Sequence, residues 1–168
     1  MPSLVNRFAT AVVTKLMTFG KTAGLAFTNF NGSVALINLG AEILTAARTL
    51  LRTDSGKTFF LNLAGGFAVT LPLPELGLRV RCIVMTAPTT AYTIVTAGSA
   101  NIMKGHVLTV DVNSVTDPDF ETSGGDTFTF VANKAVAGDW VEFVSDGTSW
   151  HTSARISVFD GATITTAS

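Results

Sequence analysis

Few residues in this 168-residue chain carry side chains suited to catalysis: two His, one Cys and four Glu. Nucleophilic catalysis needs a base held by an orienting group beside an activated Ser or Cys. His106 and His151 are the candidate bases, and no Gly-x-Ser-x-Gly elbow accompanies them. Glu142 is the expected cross-strand partner of His151, and an exposed ion pair is the simpler role for the two. His106 follows Gly105 and reads as a solvated turn residue. No His-Glu-x-x-His motif occurs, and two His with one Cys scattered over strands do not make a zinc site. Gly20-Lys21-Thr22 and Gly56-Lys57-Thr58 each end like a phosphate-binding loop, but the required upstream glycine is replaced by Lys15 in one and Leu51 in the other. Asp117-Pro118-Asp119-Phe120-Glu121 and Asp126 could gather oxygen ligands for calcium; with Thr122 and Phe128 at the positions an EF-hand needs for Gly and Glu, a solvated loop is the reading. Tyr92, Trp140 and Trp150 could stack on sugars or bases, yet 12 of the 15 aromatics are Phe, which marks a core or a dry interface. These residues predict no enzyme, no metal, no cofactor and no small-molecule substrate.

The composition fits a protein that spends its surface on contacts. Hydrophobic residues make up 47% and charged ones 14%, against about 25% charged in an average soluble domain. Polar surface is therefore scarce for a free monomer. Net charge is −1, so the basic field of a nucleic-acid binder is missing. The balance is uneven: residues 1–50 hold four basic groups against Glu42, and 51–168 hold seven against eleven acidic ones. A basic arm on an acidic body can dock onto an acidic neighbour. Residues 22–41 carry no charge but include Asn29, Asn31, Asn38 and several Gly, too polar for a membrane span. No signal peptide is read, because Arg7 and Lys15 interrupt the early apolar stretch. A single Cys82 in an apolar run reads as a small buried hydrophobe.

Twenty-five Thr, with Val and Phe crowding the second half, suit pleated surfaces. Leu4, Phe8, Val12, Leu16 and Phe19 form a stripe at helical spacing, predicting a short amphipathic helix over 4–19. An irregular extended segment is expected over 20–40 and a strand over 44–53. Asp54-Ser55-Gly56 predicts a turn. Strands are expected near 57–61, 67–71, 78–86, 92–96, 101–103, 106–110, 127–132, 139–145 and 148–159, with a turn at Lys104-Gly105. Asp146-Gly147 between alternating runs predicts a two-residue type I′ hairpin that sets Phe143 opposite Trp150 and Glu142 opposite His151. Val141, Phe143 and Trp150 would then face the core. The fold class is mainly β, an antiparallel sandwich or barrel-like body over 48–168 with an N-terminal extended or short-helical arm over 1–47.

The signatures Asp54-Ser55-Gly56-Lys57-Thr58-Phe59, Ala68-Val69-Thr70-Leu71-Pro72, Gly77-Leu78, Gly124-Gly125-Asp126-Thr127-Phe128, Gly138-Asp139-Trp140-Val141-Glu142 and Ser145-Asp146-Gly147-Thr148-Ser149-Trp150 resemble those of small β-rich virion proteins of tailed bacteriophages, above all head decoration (cement) proteins. The resemblance covers residues 48–160 and rests on strand and turn patterns. It implies a non-enzymatic protein on the outer capsid surface, assembled in the host cytoplasm, often trimeric, that bridges major capsid proteins and stabilises the shell. Similar patterns occur in tail fibres and tail-associated receptor-binding modules, which is the alternative. Under the first reading the arm supplies capsid or inter-subunit contacts through Leu4, Arg7, Phe8, Leu16, Phe19, Phe27 and Phe30.

Overall fold

The computed structural model describes residues 25–28, 34–37, 40–109 and 119–166. The chain divides into two compact units, 1–37 and 38–168. In the first, strands β1 (Leu25–Thr28) and β2 (Val34–Ile37) pair antiparallel, Leu25 opposite Ile37 and Thr28 opposite Val34. This regular pairing replaces the irregular segment expected over 20–40. Four-residue strands are too short for a period to register in the sequence. The helix expected over 4–19 lies outside the described residues, as do Leu4, Arg7, Phe8, Leu16, Phe19 and Phe30. Phe27 stands in β1 opposite Ala35.

The second unit is two packed sheets. Its strands are β3 (Ala41–Leu44), β4 (Arg48–Thr49), β5 (Thr58–Leu61), β6 (Ala68–Thr70), β7 (Arg79–Val84), β8 (Tyr92–Val95), β9 (Met103–Thr109), β10 (Asp119–Gly125), β11 (Thr127–Phe130), β12 (Trp140–Ser145), β13 (Trp150–Ile156) and β14 (Ala162–Thr165). One sheet has seven strands in the order β10-β9-β13-β12-β7-β5-β3, the other five in the order β14-β11-β8-β6-β4. From β3 to β9 the chain alternates between the sheets, so β3, β5 and β7 run parallel in one and β4, β6 and β8 run parallel in the other. A parallel pair needs a crossover. Here the crossover is a strand of the opposite sheet, and the chain winds as a coil. The β12–β13 hairpin then wedges between β7 and β9, β12 antiparallel to β7 and β13 parallel to β9. The body is mainly β as expected, but its sheets are mixed where antiparallel pairing was expected.

Alternation along each strand builds one core. Phe59 and Leu61 of β5, Val80, Cys82 and Val84 of β7, and Val141 and Phe143 of β12 point inward from the larger sheet. Val69, Tyr92, Ile94, Phe128 and Phe130 meet them from the smaller one. Phe128 and Phe143 touch edge to face across the interlayer space, ring centroids 6.1 Å apart. Each such ring contributes about 1.5–3 kcal/mol by burial. Tyr92 adds a polar tie: its phenol oxygen accepts the Leu63 N–H at 2.8 Å and lies within hydrogen-bond distance of the Leu61 and Thr86 carbonyls. Burial pushes this phenol up despite the Leu63 hydrogen bond. Cys82 is fully buried and its thiol is pushed up to about 12 by that burial.

Val141, Phe143 and Trp150 are all fully buried, as expected. The hairpin register is not the one expected. Ser145 pairs with Trp150, Phe143 with Thr152, Val144 with His151 and Glu142 with Ser153. The connection is a four-residue loop, because Asp146 accepts the backbone N–H groups of Thr148 (2.8 Å) and Ser149 (2.7 Å), folding residues 146–149 around its carboxylate. Gly147 takes φ 99° while Asp146 stays at negative φ, so a type I′ turn does not form. The shift is by two residues, which keeps every side chain on its expected face.

Lys104-Gly105 is no turn: β9 runs through it. Gly105, at φ 148°, lies where a Cβ would come within 1.9 Å of the Thr152 carbonyl oxygen on β13. A glycine that reads as a turn in sequence is here a point of close backbone approach. His106 therefore sits mid-strand, its Cα opposite Ser153 and Phe120, rather than in a solvated turn. Part of the expected acidic loop is strand as well, since β10 covers Asp119–Gly125, and Asp126 is buried. In 44–53 the expected strand is broken: Leu44 ends β3, Arg48–Thr49 form β4, and Arg52–Asp54 make a 3-10 turn.

Candidate functional site

The strands place two contrasting surfaces on the outside of the sandwich. Outward positions of the seven-stranded sheet line up in cross-strand rows. One row runs Ile43, Phe60, Ile83, Trp140, Arg155, Leu108. Four of its members are aliphatic or Phe; Ile43 is 54% and Leu108 42% exposed, with Phe60, Ile83 and Trp140 half-buried. The neighbouring row runs Ala41, Thr58, Arg81, Glu142, Ser153, His106. Polar and apolar rows thus lie side by side on one sheet face, the mix found in protein contact surfaces.

Across β5, β7 and β12 this face holds a depression of about 220 Å³ lined by Gly56, Lys57, Thr58, Arg79, Arg81 and Glu142. Its charges are arranged unequally. Arg79 grips Glu142 in a fork, Nε to Oε1 at 2.8 Å and Nη2 to Oε2 at 2.9 Å. That hydrogen bonding, with the charges of Arg79 and Arg81, holds the Glu142 carboxyl below its ordinary range against the opposing effect of burial, and the same bond raises the Arg79 guanidinium. Lys57 donates to Asp54 at 2.6 Å, and Arg48 pairs with Glu42 and Asp54. Burial alone would push the Asp54 carboxyl up; the Leu51 N–H, Lys57 and Arg48 outweigh it and leave the carboxyl below its ordinary range. Four cations thus face three carboxylates, and Arg81 is the cation of the four that makes no ion pair among the described residues. Its guanidinium lies over the Trp140 ring, 4.2 Å from the centroid, and its Nε is buried without a hydrogen-bond partner. Trp140 has Arg155 as its direct cross-strand neighbour.

The outer face of the five-stranded sheet is different. Its rows run Thr165, Thr127, Val95, Thr70, Thr49 and Thr163, Thr129, Thr93, Ala68. Seven of nine positions are Thr and none is charged. The high threonine count has its structural meaning here: β-branched residues with short hydroxyl side chains tile one flat face.

The sequence's chemical candidates do not converge. His151 bonds Asp146, Nε2 to Oδ2 at 2.9 Å, instead of Glu142. This bond, with the Ser149 and Thr148 N–H groups, holds the Asp146 carboxyl far below its ordinary range. Glu142 is taken by Arg79. Trp150 is core, while Trp140 is on the surface face. Among the described residues no group of three or more His, Cys, Asp or Glu is gathered to hold a metal, and no helix is long and apolar enough to cross a membrane. Gly56-Lys57-Thr58 does line the depression, as the turn entering β5 with Gly56 at φ 85°. Arg81 and Trp140 were not legible as a site, because they stand 59 positions apart and meet only through the β7–β12 pairing. No protein-family model matches the chain, and no curated protein matches it.

Proposed function

We propose that the chain is a non-enzymatic virion structural protein that decorates the outer capsid surface and stabilises the shell by bridging major capsid proteins. The observation that carries this reading is the outer face of the seven-stranded sheet. It offers an accessible row of Ile43, Phe60, Ile83, Trp140 and Leu108 beside unpaired Arg81, in a chain with few charges to keep a bare surface in solution. Such a face loses water and gains contacts when a partner covers it. The resemblance to phage decoration proteins supports the identity of that partner; of the segments that carry it, 54–59, 138–142 and 145–150 lie in or beside this sheet, while 68–72 and 124–128 reach into the other.

The uncharged threonine face of the five-stranded sheet suits contact between copies of the chain, since no charge has to be desolvated there. A homotrimer is the proposed assembly. The test is thermal: added to undecorated phage shells, the protein raises the melting temperature of the shell to a plateau at a fixed stoichiometry. No rise, together with a stable free trimer that adsorbs saturably to host cells, would move the reading to a tail fibre or tail-associated receptor-binding module.

A further inference from the structure

We infer that the Arg81–Trp140 pair is a receptor for a carboxylate side chain presented by an acidic protein surface. The inference rests on the docking role proposed for this face and specifies the chemistry of what docks. Three features carry it. Among the described residues Arg81 makes no direct ion pair, although it faces Glu142 across the strands and its charge helps hold that carboxyl low; the three nearby carboxylates are bonded by Arg79, Lys57 or Arg48. Its guanidinium is held over the Trp140 ring, 4.2 Å from the centroid, and its Nε is buried without a hydrogen-bond partner. A guanidinium that lines a depression and keeps an unsatisfied donor suits a carboxylate, whose two oxygens match its planar geometry.

The surroundings set the sign and the class of the partner. Arg79, Arg81, Arg155 and Lys104 stand on the outer positions of β7, β13 and β9, against Glu142 alone among carboxylates on those positions and those of β12. Among the described residues Arg155 and Lys104 also make no ion pair. The outer positions of these four strands are therefore net positive although the chain as a whole is −1. Flanking Ile83 and Phe60 make an apolar shelf beside the Arg81 fork. A free inorganic anion would use the charge and waste the shelf; an Asp or Glu held among apolar neighbours on a protein surface uses both. Buried Arg and Trp anchors are also the residues that dominate binding energy at protein interfaces.

The test uses the full chain labelled with 15N. The arginine Nε–H and indole Nε1–H signals are followed during titration with the dicarboxylate glutarate and, separately, with its neutral diamide. Saturable shifts at Arg81 and Trp140 with glutarate, none with the diamide, and their loss in Arg81→Gln but not in Arg155→Gln are expected. Unsaturating shifts, or shifts unchanged in Arg81→Gln, overturn the inference. Arg81→Lys, which keeps the charge and loses the fork, is expected to bind weakly and guards against a misfolded Gln variant. In a second arm, Arg81→Gln lowers affinity for undecorated shells about tenfold or more; unchanged affinity overturns the docking role of Arg81. Glutarate binding by a protein that ignores the shells would leave the carboxylate receptor standing and remove the decoration reading.

Discussion

Gly105→Ala is the substitution whose cost follows most directly from the topology. In the coil-and-hairpin arrangement β13 lies parallel to β9, and Thr152 stands opposite Gly105. A Cβ at 105 would sit 1.9 Å from the Thr152 carbonyl oxygen, 2.8 Å from its carbon and 2.9 Å from its nitrogen. All three are backbone atoms of a fully paired strand, so no side chain can swing aside. The φ of 148° adds backbone strain that an L residue bears poorly. Overpacking costs about 1–3 kcal/mol and the strained conformation about 1–3 kcal/mol more, giving about 2–6 kcal/mol together. Gly98→Ala is the control: φ is 67° there, but nothing lies within 4 Å of the added Cβ, so only the left-handed backbone term of about 1–2 kcal/mol applies. Urea unfolding followed by tryptophan fluorescence measures both. A larger loss in Gly105→Ala than in Gly98→Ala, with unchanged m-value, is expected. Equal losses would refute the close approach of β9 and β13.

Four further outcomes follow from the packing and the charges. Asp139 is buried and accepts the N–H groups of Val136 (3.0 Å) and Ser157 (2.8 Å) and the Ser157 hydroxyl (2.7 Å), so Asp139→Ala strands two backbone donors and lowers stability by about 2–5 kcal/mol in denaturant titration. Phe143→Ala opens the interlayer core and costs about 3–5 kcal/mol by the same measurement. Cys82, fully buried with its thiol pushed up to about 12, stays unreactive toward a thiol reagent at neutral pH in the native protein and reacts at the rate of unfolding. The Asp54, Glu142 and Asp146 carboxyls are all depressed in the folded state, so the unfolded chain binds more protons in acid. Their stabilisation is complete above the ordinary carboxylate range and is lost as pH falls through the folded values, which a series of melting temperatures from neutral pH downward detects.

Much of the body was legible because alternation is a local signal. Phe59 and Leu61, Tyr92 and Ile94, and Val141 and Phe143 each stand two positions apart, and each pair lies in a strand with that face inward. Pairing was not legible to the same degree. Thr58 sits beside Arg81 and Val69 beside Ile94, partners more than twenty residues apart that leave no mark on their neighbours in sequence. Asp146-Gly147 carries the signal of a two-residue turn, yet the Asp146 carboxylate competes for the Thr148 and Ser149 amides and widens the loop to four. Gly105 carries a turn signal for the same reason it tolerates close backbone contact: it has no side chain. The outer-face site was hidden for a related reason. Trp140 was legible as a possible stacking ring but Arg81 read as one more alternating position, and their stacking exists only once β12 pairs with β7.

Cosedimentation of the full chain with undecorated shells, run in parallel with Trp140→Ala, tests the docking face most directly. Saturable, stoichiometric binding of the natural chain and a clear loss of affinity in Trp140→Ala, with the variant still folded by circular dichroism, is the predicted result. Binding that is equal in the two proteins, or absent in both, would contradict the account.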